Sequence, residues 1–204
     1  MKSKILAKYP ASSFETRASK VLYVADFTKR TQKNEAAQRR SVEFLDVLPD
    51  NPNDPSKPMQ CLTVENPNGI SIECNVFDDN QFVDAHNNQL KHGECCFFPT
   101  NNNQKSWLAI AEIKDCRPSK TSAYKQDIQD KMDSMFQIFR NEVSITNRIY
   151  FVISFPRKKS AMNDAIYTDY VALKKYRSFV PLVSNRVVII DESTIDVKKT
   201  LLGT

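Results

Sequence analysis

The chain has 204 residues, is 41% hydrophobic and 26% charged, and carries a net charge of +5. These values are typical of a soluble globular protein with one main core, and no apolar run reaches the length of a membrane helix. Three glycines exclude a glycine-rich phosphate-binding loop, and two histidines exclude most histidine-based sites. Five cysteines without a CxxC pair argue against a disulfide framework or a zinc knuckle. Because the N-terminus lacks a secretory signal, we expect a cytoplasmic protein.

The positive charge is concentrated at the start of the chain. Residues 1–40 hold ten lysines and arginines against three acids, and the remainder holds 19 basic and 21 acidic residues. We therefore predict a basic N-terminal segment, 1–40, and a single domain, 41–204. A basic segment beside a near-neutral body favours nucleic acid as the partner. The residues expected to contact its phosphates are Lys29, Arg30, Lys33, Arg39, Arg40, Arg157, Lys158 and Lys159.

Strand patterns dominate the first half of the chain. The predicted strands, the first of which is also compatible with a short helix, are 21–25, 41–48, 61–65, 69–77 and 93–100. Four prolines predict a loop at 49–58, and an Asn-Gly pair at 68–69 predicts a turn. The polar segment 78–90 is expected to be a loop with one short strand.

Residues 106–115, SWLAIAEIKD, form the segment around which we expect the fold to be organised. Its short apolar run is typical of a buried strand. Alternate side chains of a strand share a face, so Glu112 and Lys114 are expected on one face and Ile113 on the other. An ionised pair at the end of a buried strand is costly unless it has a partner, a metal or a chemical role.

A hairpin is predicted to bring a second acid to the same place. An asparagine-rich turn at 101–104 separates the strand at 93–100 from the strand just described. If the hairpin folds near residues 102–103, Glu94 lies opposite Ala111 or Glu112. The sequence thus predicts two carboxylates and a lysine at one end of the sheet.

The second half of the chain predicts a strand–helix–strand unit. Apolar residues at three- and four-residue steps predict a helix over 123–143, with Lys125, Asp127, Asp130, Lys131 and Asp133 on its exposed face. Further predicted elements are a strand at 148–155, a helix at 161–176 and a strand at 186–191. A strand–helix–strand unit implies parallel pairing, so we expect an α/β fold with a mixed sheet flanked by helices.

Glu94, followed by Glu112-Ile113-Lys114 at a strand end, a long helix and a buried strand, resembles the core of the PD-(D/E)xK nuclease superfamily. The resemblance covers roughly residues 69–155 and implies a restriction-endonuclease-like core in a nuclease-like domain. It implies Mg²⁺-dependent (or Mn²⁺-dependent) hydrolysis of DNA or RNA, with DNA favoured, by an endonuclease of a restriction or phage-defence system.

Carried over by position, the resemblance makes Glu94, Glu112 and Lys114 catalytic, with Glu94, Glu112 and the Ile113 carbonyl as metal ligands. Asp84 is an alternative upstream acid. A further alternative is that Cys96 occupies the position of the family's upstream acid, so that this acid is lost and the metal site is impaired. Gln126 or Gln129 is the candidate polar residue on the helix. The alternative function is a catalytically inactive nuclease-fold module that binds nucleic acid or acts as a protein-interaction subunit in a multi-subunit system.

Overall fold

The structure is a computed structural model that describes residues 1–27, 42–52, 54–78, 80–101, 103, 105–114, 123–157, 179–184 and 187–197. The strands are β1 (Glu15–Arg17), β2 (Val21–Asp26), β3 (Val42–Leu45), β4 (Asp50–Asn51), β5 (Asp54–Pro58), β6 (Leu62–Glu65), β7 (Ile72–Val76), β8 (Cys95–Pro99), β9 (Trp107–Ile113), β10 (Arg148–Ser154), β11 (Phe179–Ser184), β12 (Val187–Ile190) and β13 (Ile195–Val197). The helices are α1 (Lys2–Lys8) and α2 (Lys125–Phe136), which continues as a π-helical segment (Gln137–Glu142). Within these ranges no helix is long and apolar enough to cross a membrane.

A six-stranded mixed sheet has the order β1-β7-β8-β9-β10-β11. Its first four strands pair antiparallel, whereas β9, β10 and β11 run parallel. The connection from β9 to β10 contains α2, because parallel neighbours cannot be joined by a tight turn. The structure confirms an α/β fold with a mixed sheet and parallel pairing across this helix.

A second sheet, which the sequence did not predict, covers the opposite face of the six-stranded sheet. Its five strands have the order β13-β12-β6-β2-β3. The expectation of one mixed sheet flanked by helices was therefore wrong in part, because one flank is a sheet. The apolar side chains between the sheets, which we call the inter-sheet core, include Leu22, Val24, Leu62, Phe97, Trp107, Val152 and Val188.

The turn between β6 and β7 moves the chain from one sheet to the other. Gly69 adopts φ +61°, and the Gly69 amide donates to the Asn66 carbonyl at 3.0 Å. The buried Asn66 side chain fixes the turn, since it donates to Ser19 and Ile70 carbonyls and accepts from the Ile70 amide. The predicted turn is confirmed, but the strands on either side of it are not paired with each other.

Strand β9 lies at the centre of the molecule, and all seven of its residues are buried. Trp107, Ala109, Ala111 and Ile113 face the inter-sheet core, whereas Leu108 and Ile110 face α2. The α2 side chains packed on that second face, in what we call the helix-side core, are Ile128, Met132 and Met135, continued by Ile138 and Phe139. Both faces of β9 are thus covered, which explains its continuous apolar run.

Several local predictions need correction. The segment 49–58 is not a simple loop, because β4 and β5 pair antiparallel within it. Prolines are tolerated there since a two-stranded ribbon leaves half of its amide groups unpaired. Strands β1, β11 and β13 and helix α1 were not predicted, and the helix expected at 161–176 lies outside the described residues.

The first 27 residues belong to the fold. Ile5 of α1 is buried in the helix-side core, β1 forms an edge of the six-stranded sheet, and β2 lies inside the second sheet. Residues 28–41 lie outside the described part of the chain, so the domain division at residue 40 stays a prediction.

Candidate active site

Glu112 is the last residue but one of β9, and its side chain is fully buried on the side of α2. The next residue on this face, Lys114, extends the β9–β10 ladder by one bond, since its amide donates to the Ser154 carbonyl at 2.9 Å. The Lys114 Nζ lies 2.7 Å from Glu112 Oε1. The alternation of the strand therefore places this acid and this lysine in direct contact, as predicted.

A second lysine reaches the same carboxylate from α2. Lys131 Nζ lies 2.8 Å from Glu112 Oε1 and 3.7 Å from Glu94 Oε1. Two ammonium groups thus meet one oxygen of a fully buried acid, and one of them also contacts the second acid. Such convergence offsets the cost of burying the carboxylate charge.

Glu94 immediately precedes β8, at the same end of the hairpin as Glu112. Its amide donates to the Ala111 carbonyl at 2.8 Å, and the neighbouring pair of the ladder is Cys95 opposite Ala111. Glu94 is thus hydrogen-bonded to the residue before Glu112, within the range expected from the turn, and Lys131 contacts both carboxylates. The hairpin therefore brings the two predicted carboxylates together.

Two residues of α2 complete the cluster, and the sequence pattern had placed both on the exposed face. Asp127 Oδ2 lies 3.4 Å from Lys114 Nζ, and Lys131 is one helical turn further on. In the described residues, neither Gln126 nor Gln129 contacts the acids or Lys114, and Gln126 instead donates to Asp130. The role expected for one of these glutamines therefore stays a prediction.

Lys91 joins the cluster at its outer edge. Its Nζ lies 2.7 Å from Asp130 Oδ2 and 3.5 Å from Asp127 Oδ1. Lys91, Asp127 and Lys131 were all missed in the sequence. The signal that points to the two helical residues is their position directly before the buried Ile128 and Met132, at the border of the apolar face.

The charges of the cluster shift one another's titration. Burial acts to lower the pKa of Lys114, but Glu112, Asp127 and Glu94 outweigh it, so the pKa is raised above the ordinary lysine value. Burial acts to raise the pKa of Asp127, but Lys114, Lys131 and Lys91 outweigh it and the pKa is lowered. Both groups are consequently charged at neutral pH.

The second oxygen of Glu112 has a different environment. Glu112 Oε2 is buried and has no hydrogen-bond partner among the described residues. An unpaired buried carboxylate oxygen is costly, so this atom marks a place where a further cation fits. Two facing acids that already share one cation, Lys131, also provide the oxygen donors that Mg²⁺ prefers. In the described ranges no group of three or more His, Cys, Asp or Glu side chains is arranged to hold a metal.

The alternative upstream acids lie in unsuitable surroundings. The exposed Asp84 carboxylate accepts from the amides of His86 and Asn88, so it shapes its own loop. Cys96 pairs with Ile110 in the ladder and is buried in the helix-side core, and burial raises the pKa of its thiol. Glu94 is the acid that shares Lys131 with Glu112, and loss of the family's acid at Cys96 stays an untested alternative.

Most of the basic residues predicted to contact nucleic acid cannot be placed. Lys29, Arg30, Lys33, Arg39 and Arg40 lie outside the described residues, as do Lys158 and Lys159. Arg157 is exposed just beyond the end of β10. Its exposure is compatible with contact to nucleic acid, and this role stays a prediction.

An open pocket of about 270 Å³ adjoins Glu94 and Lys131. Its lining residues are Gln89, Leu90, Lys91, His92, Glu94 and Lys131. The cluster is therefore accessible from solvent on the side of Glu94 and Lys131, although Glu112 itself is buried. No protein-family model, curated protein or solved structure matches the chain.

Proposed function

We propose that the chain is a PD-(D/E)xK-type nuclease that hydrolyses phosphodiester bonds of DNA with Mg²⁺ or Mn²⁺, in a restriction or phage-defence setting. One observation carries the proposal. A fully buried Glu112 at the end of the central strand is held by Lys114 and faces Glu94 across a hairpin. A carboxylate that served only to end a strand at the surface would not require burial beside two lysines.

The order of elements supports the proposal. The acid directly precedes β8, and the acid-x-lysine segment lies at the end of β9, its antiparallel neighbour. Helix α2 then leads to β10, which runs parallel to β9, and it carries polar residues into the site. This sequence of hairpin, helix and parallel strand is what the resemblance implies for a restriction-endonuclease-like core.

The residues divide into distinct chemical roles. Glu94, Glu112 and the Ile113 carbonyl would hold the divalent ion, which when bound lowers the pKa of a water molecule and stabilises charge on the phosphate. Lys114 has a raised pKa and is an ammonium at neutral pH. Beside a bound ion it would orient or deprotonate the attacking water. Asp127 positions Lys114 through their 3.4 Å contact.

The test uses the purified chain with plasmid DNA and with structured RNA, in Mg²⁺, in Mn²⁺ and in chelator. We expect metal-dependent cleavage of DNA that Glu112→Gln and Lys114→Gln reduce by at least about a hundredfold. Glu73→Gln is the matched acidic control, because Glu73 lies on β7, two strands away from β9, and pairs with Lys2 of α1. Circular dichroism of each variant establishes that it is folded at the assay temperature. Full cleavage by folded Glu112→Gln would refute the proposal.

A second candidate is the inactive nuclease-fold module, acting on nucleic acid or as a protein-interaction subunit. It is favoured by Lys131, which supplies a cation between Glu94 and Glu112 without any metal. This reading expects salt-dependent DNA binding, or binding of a protein subunit, that is unchanged by chelator. Metal-dependent cleavage in the assay above excludes it.

A further inference from the structure

We infer that Lys131 is a resident counter-cation of the acid pair and that a divalent ion binds Glu94 and Glu112 by displacing it. The inference rests on the proposed function, in that it takes these acids as the metal ligands. It assigns to Lys131 control of metal affinity, a role that none of the sequence patterns indicated.

The contacts of Lys131 lead to this role. Its Nζ lies 2.8 Å from Glu112 Oε1 and 3.7 Å from Glu94 Oε1, so a single positive charge bridges both acids. Its side chain is only 15% exposed. A divalent ion between the same carboxylates would meet an ammonium group in poorly screened surroundings, and the two cations would repel each other.

Lys114 does not share this role, although it contacts the same oxygen. It pairs with Glu112 at 2.7 Å and with Asp127 of α2 at 3.4 Å. Asp127 therefore retains Lys114 at the edge of the acid pair when a second cation enters. Lys131 is the ammonium that lies between the acids.

The pocket provides a place for the displaced side chain. Lys131 and Glu94 both line the open space of about 270 Å³ beside the site. A lysine has a long flexible stem, so its ammonium can turn into this solvent-accessible space while α2 stays in place. Glu112 Oε1 then loses its contact with Lys131, and Oε2, which lacks a hydrogen-bond partner in the described part of the chain, offers a second oxygen to the incoming ion.

Lys91 offers a matched control within the same pocket. It lines the same space and carries the same charge, but it pairs with Asp127 and Asp130. Lys91→Met thus removes one positive charge near the site without removing the bridge between the acids. A general electrostatic effect would appear in both variants, whereas displacement is specific to Lys131.

The experiment measures Mn²⁺ and Mg²⁺ binding to the full chain by isothermal titration calorimetry, in the absence of nucleic acid. We expect Lys131→Met to bind Mn²⁺ about tenfold more tightly than the unaltered chain, which corresponds to about 1.4 kcal/mol. Lys131→Arg keeps the charge and should retain weak binding, and Lys91→Met should change the affinity by less than about threefold. If Lys131→Met does not fold, Lys131→Gln replaces it in the same titration.

The outcomes separate the inference from the proposed function. Equal Mn²⁺ affinity of the unaltered chain and the uncharged Lys131 variants would overturn the inference even if the chain cleaves DNA. Equal tightening by Lys91→Met would also overturn it, because the effect would then be general. Tighter binding by the Lys131 variants supports it even if no cleavage is found, an outcome that counts only against the nuclease.

Discussion

Glu112 is a carboxylate with no solvent exposure, and both Lys114 and Lys131 contact it. The low dielectric of the interior makes an unpaired charge there expensive and a paired one strongly coupled to its partners. Both lysines are mostly buried, at 17% and 15% exposure, so solvent screens these contacts only weakly. Substitution at any of the three positions should therefore change the contribution of the other two side chains to stability.

A double-mutant cycle tests this coupling. Lys114→Met should destabilise the chain by about 1–3 kcal/mol, which is less than full loss of a buried ion pair because Lys131 still contacts the carboxylate. In a Glu112→Gln background the same substitution should cost less than about 1 kcal/mol, since the buried carboxylate that Lys114 pairs with is already absent. Urea unfolding at neutral pH measures both free energies.

The control for this cycle is Lys57→Met. Lys57 forms an exposed ion pair with Asp54 in β5 and should produce no measurable change in stability. If Lys114→Met cost the same in both backgrounds, the buried pair would not be coupled and the electrostatic account of the site would be wrong.

The response of stability to acid should depend on Asp127. Its pKa is lowered from 3.8 because the three neighbouring lysines outweigh the effect of burial. A folded-state pKa below the unfolded value gives stability that is present above the unfolded pKa and is lost as the pH falls through the folded one. Urea midpoints should therefore fall less between about pH 5 and pH 2.5 in Asp127→Asn than in the unaltered chain.

The stability contributed by Lys114 depends on pH with the opposite sign. Its pKa is raised from 10.5, so its contribution is complete below that pH and is lost only above it. The loss of stability at acidic pH therefore reports on Asp127 and not on the titration of Lys114. If Asp127→Asn and the unaltered chain lost the same stability at acidic pH, the contacts of Asp127 with the lysines would not stabilise the fold.

At the level of elements, the hairpin of β8 and β9 could be predicted because its signals are local. An asparagine-rich turn and two short apolar runs define it, and the strand period of two determines which side chains share a face. The observed register, with Cys95 opposite Ala111, differs by one from the sum of positions expected for a turn at 102–103. The observed sum of 206 centres the turn on Asn103.

The residues of α2 that enter the site could not be assigned in the same way. Charged residues beside an apolar stripe are usually solvated, and only the position of the helix on the sheet decides which of them meet Glu112. Asp127 and Lys131 precede the buried Ile128 and Met132 and therefore lie on the border turned towards the end of β9. Tertiary packing supplied this information, and the helical period alone did not.

Gly93→Ala tests whether the hairpin positions Glu94. A Cβ at Gly93 would lie 2.9 Å from the Ala111 carbonyl oxygen and 2.9 Å from Ile110 Cγ2, so the start of β8 must move away from β9. We expect a loss of about 1–3 kcal/mol in stability and a larger proportional loss of DNA cleavage, because Glu94 is the next residue. Urea unfolding and the cleavage assay measure the two effects.

Gly69→Ala is the control for that substitution. Gly69 has space for a Cβ, with the nearest atom at 3.8 Å, but its φ of +61° strains any other residue by about 1–2 kcal/mol. It lies before β7, at the end of that strand opposite to the one that adjoins Glu94. Stability should fall with no loss of cleavage in folded protein, and equal loss of cleavage by both variants would argue against a local role of Gly93.

At the level of the whole molecule, the second sheet was not predictable from short patterns. Strands β6 and β7 are separated by a turn that is typical of a hairpin, yet they belong to different sheets. The choice depends on partners distant in sequence, such as the parallel pairing of β6 with β12. Non-local pairing of this kind leaves no periodic signal in either segment.

Trp107 reports on whether the two sheets unfold together. It is the single tryptophan of the chain, it lies in the inter-sheet core at the start of β9, and its Nε1 donates to the Asp191 carbonyl at 2.8 Å. Because β9 also carries Glu112, separation of the sheets would expose the same strand that holds the site. We expect Trp107 fluorescence and far-ultraviolet circular dichroism to follow one coincident urea transition. A fluorescence transition at lower urea would mean that the second sheet detaches first, and that the site rests on the six-stranded sheet and α2 alone.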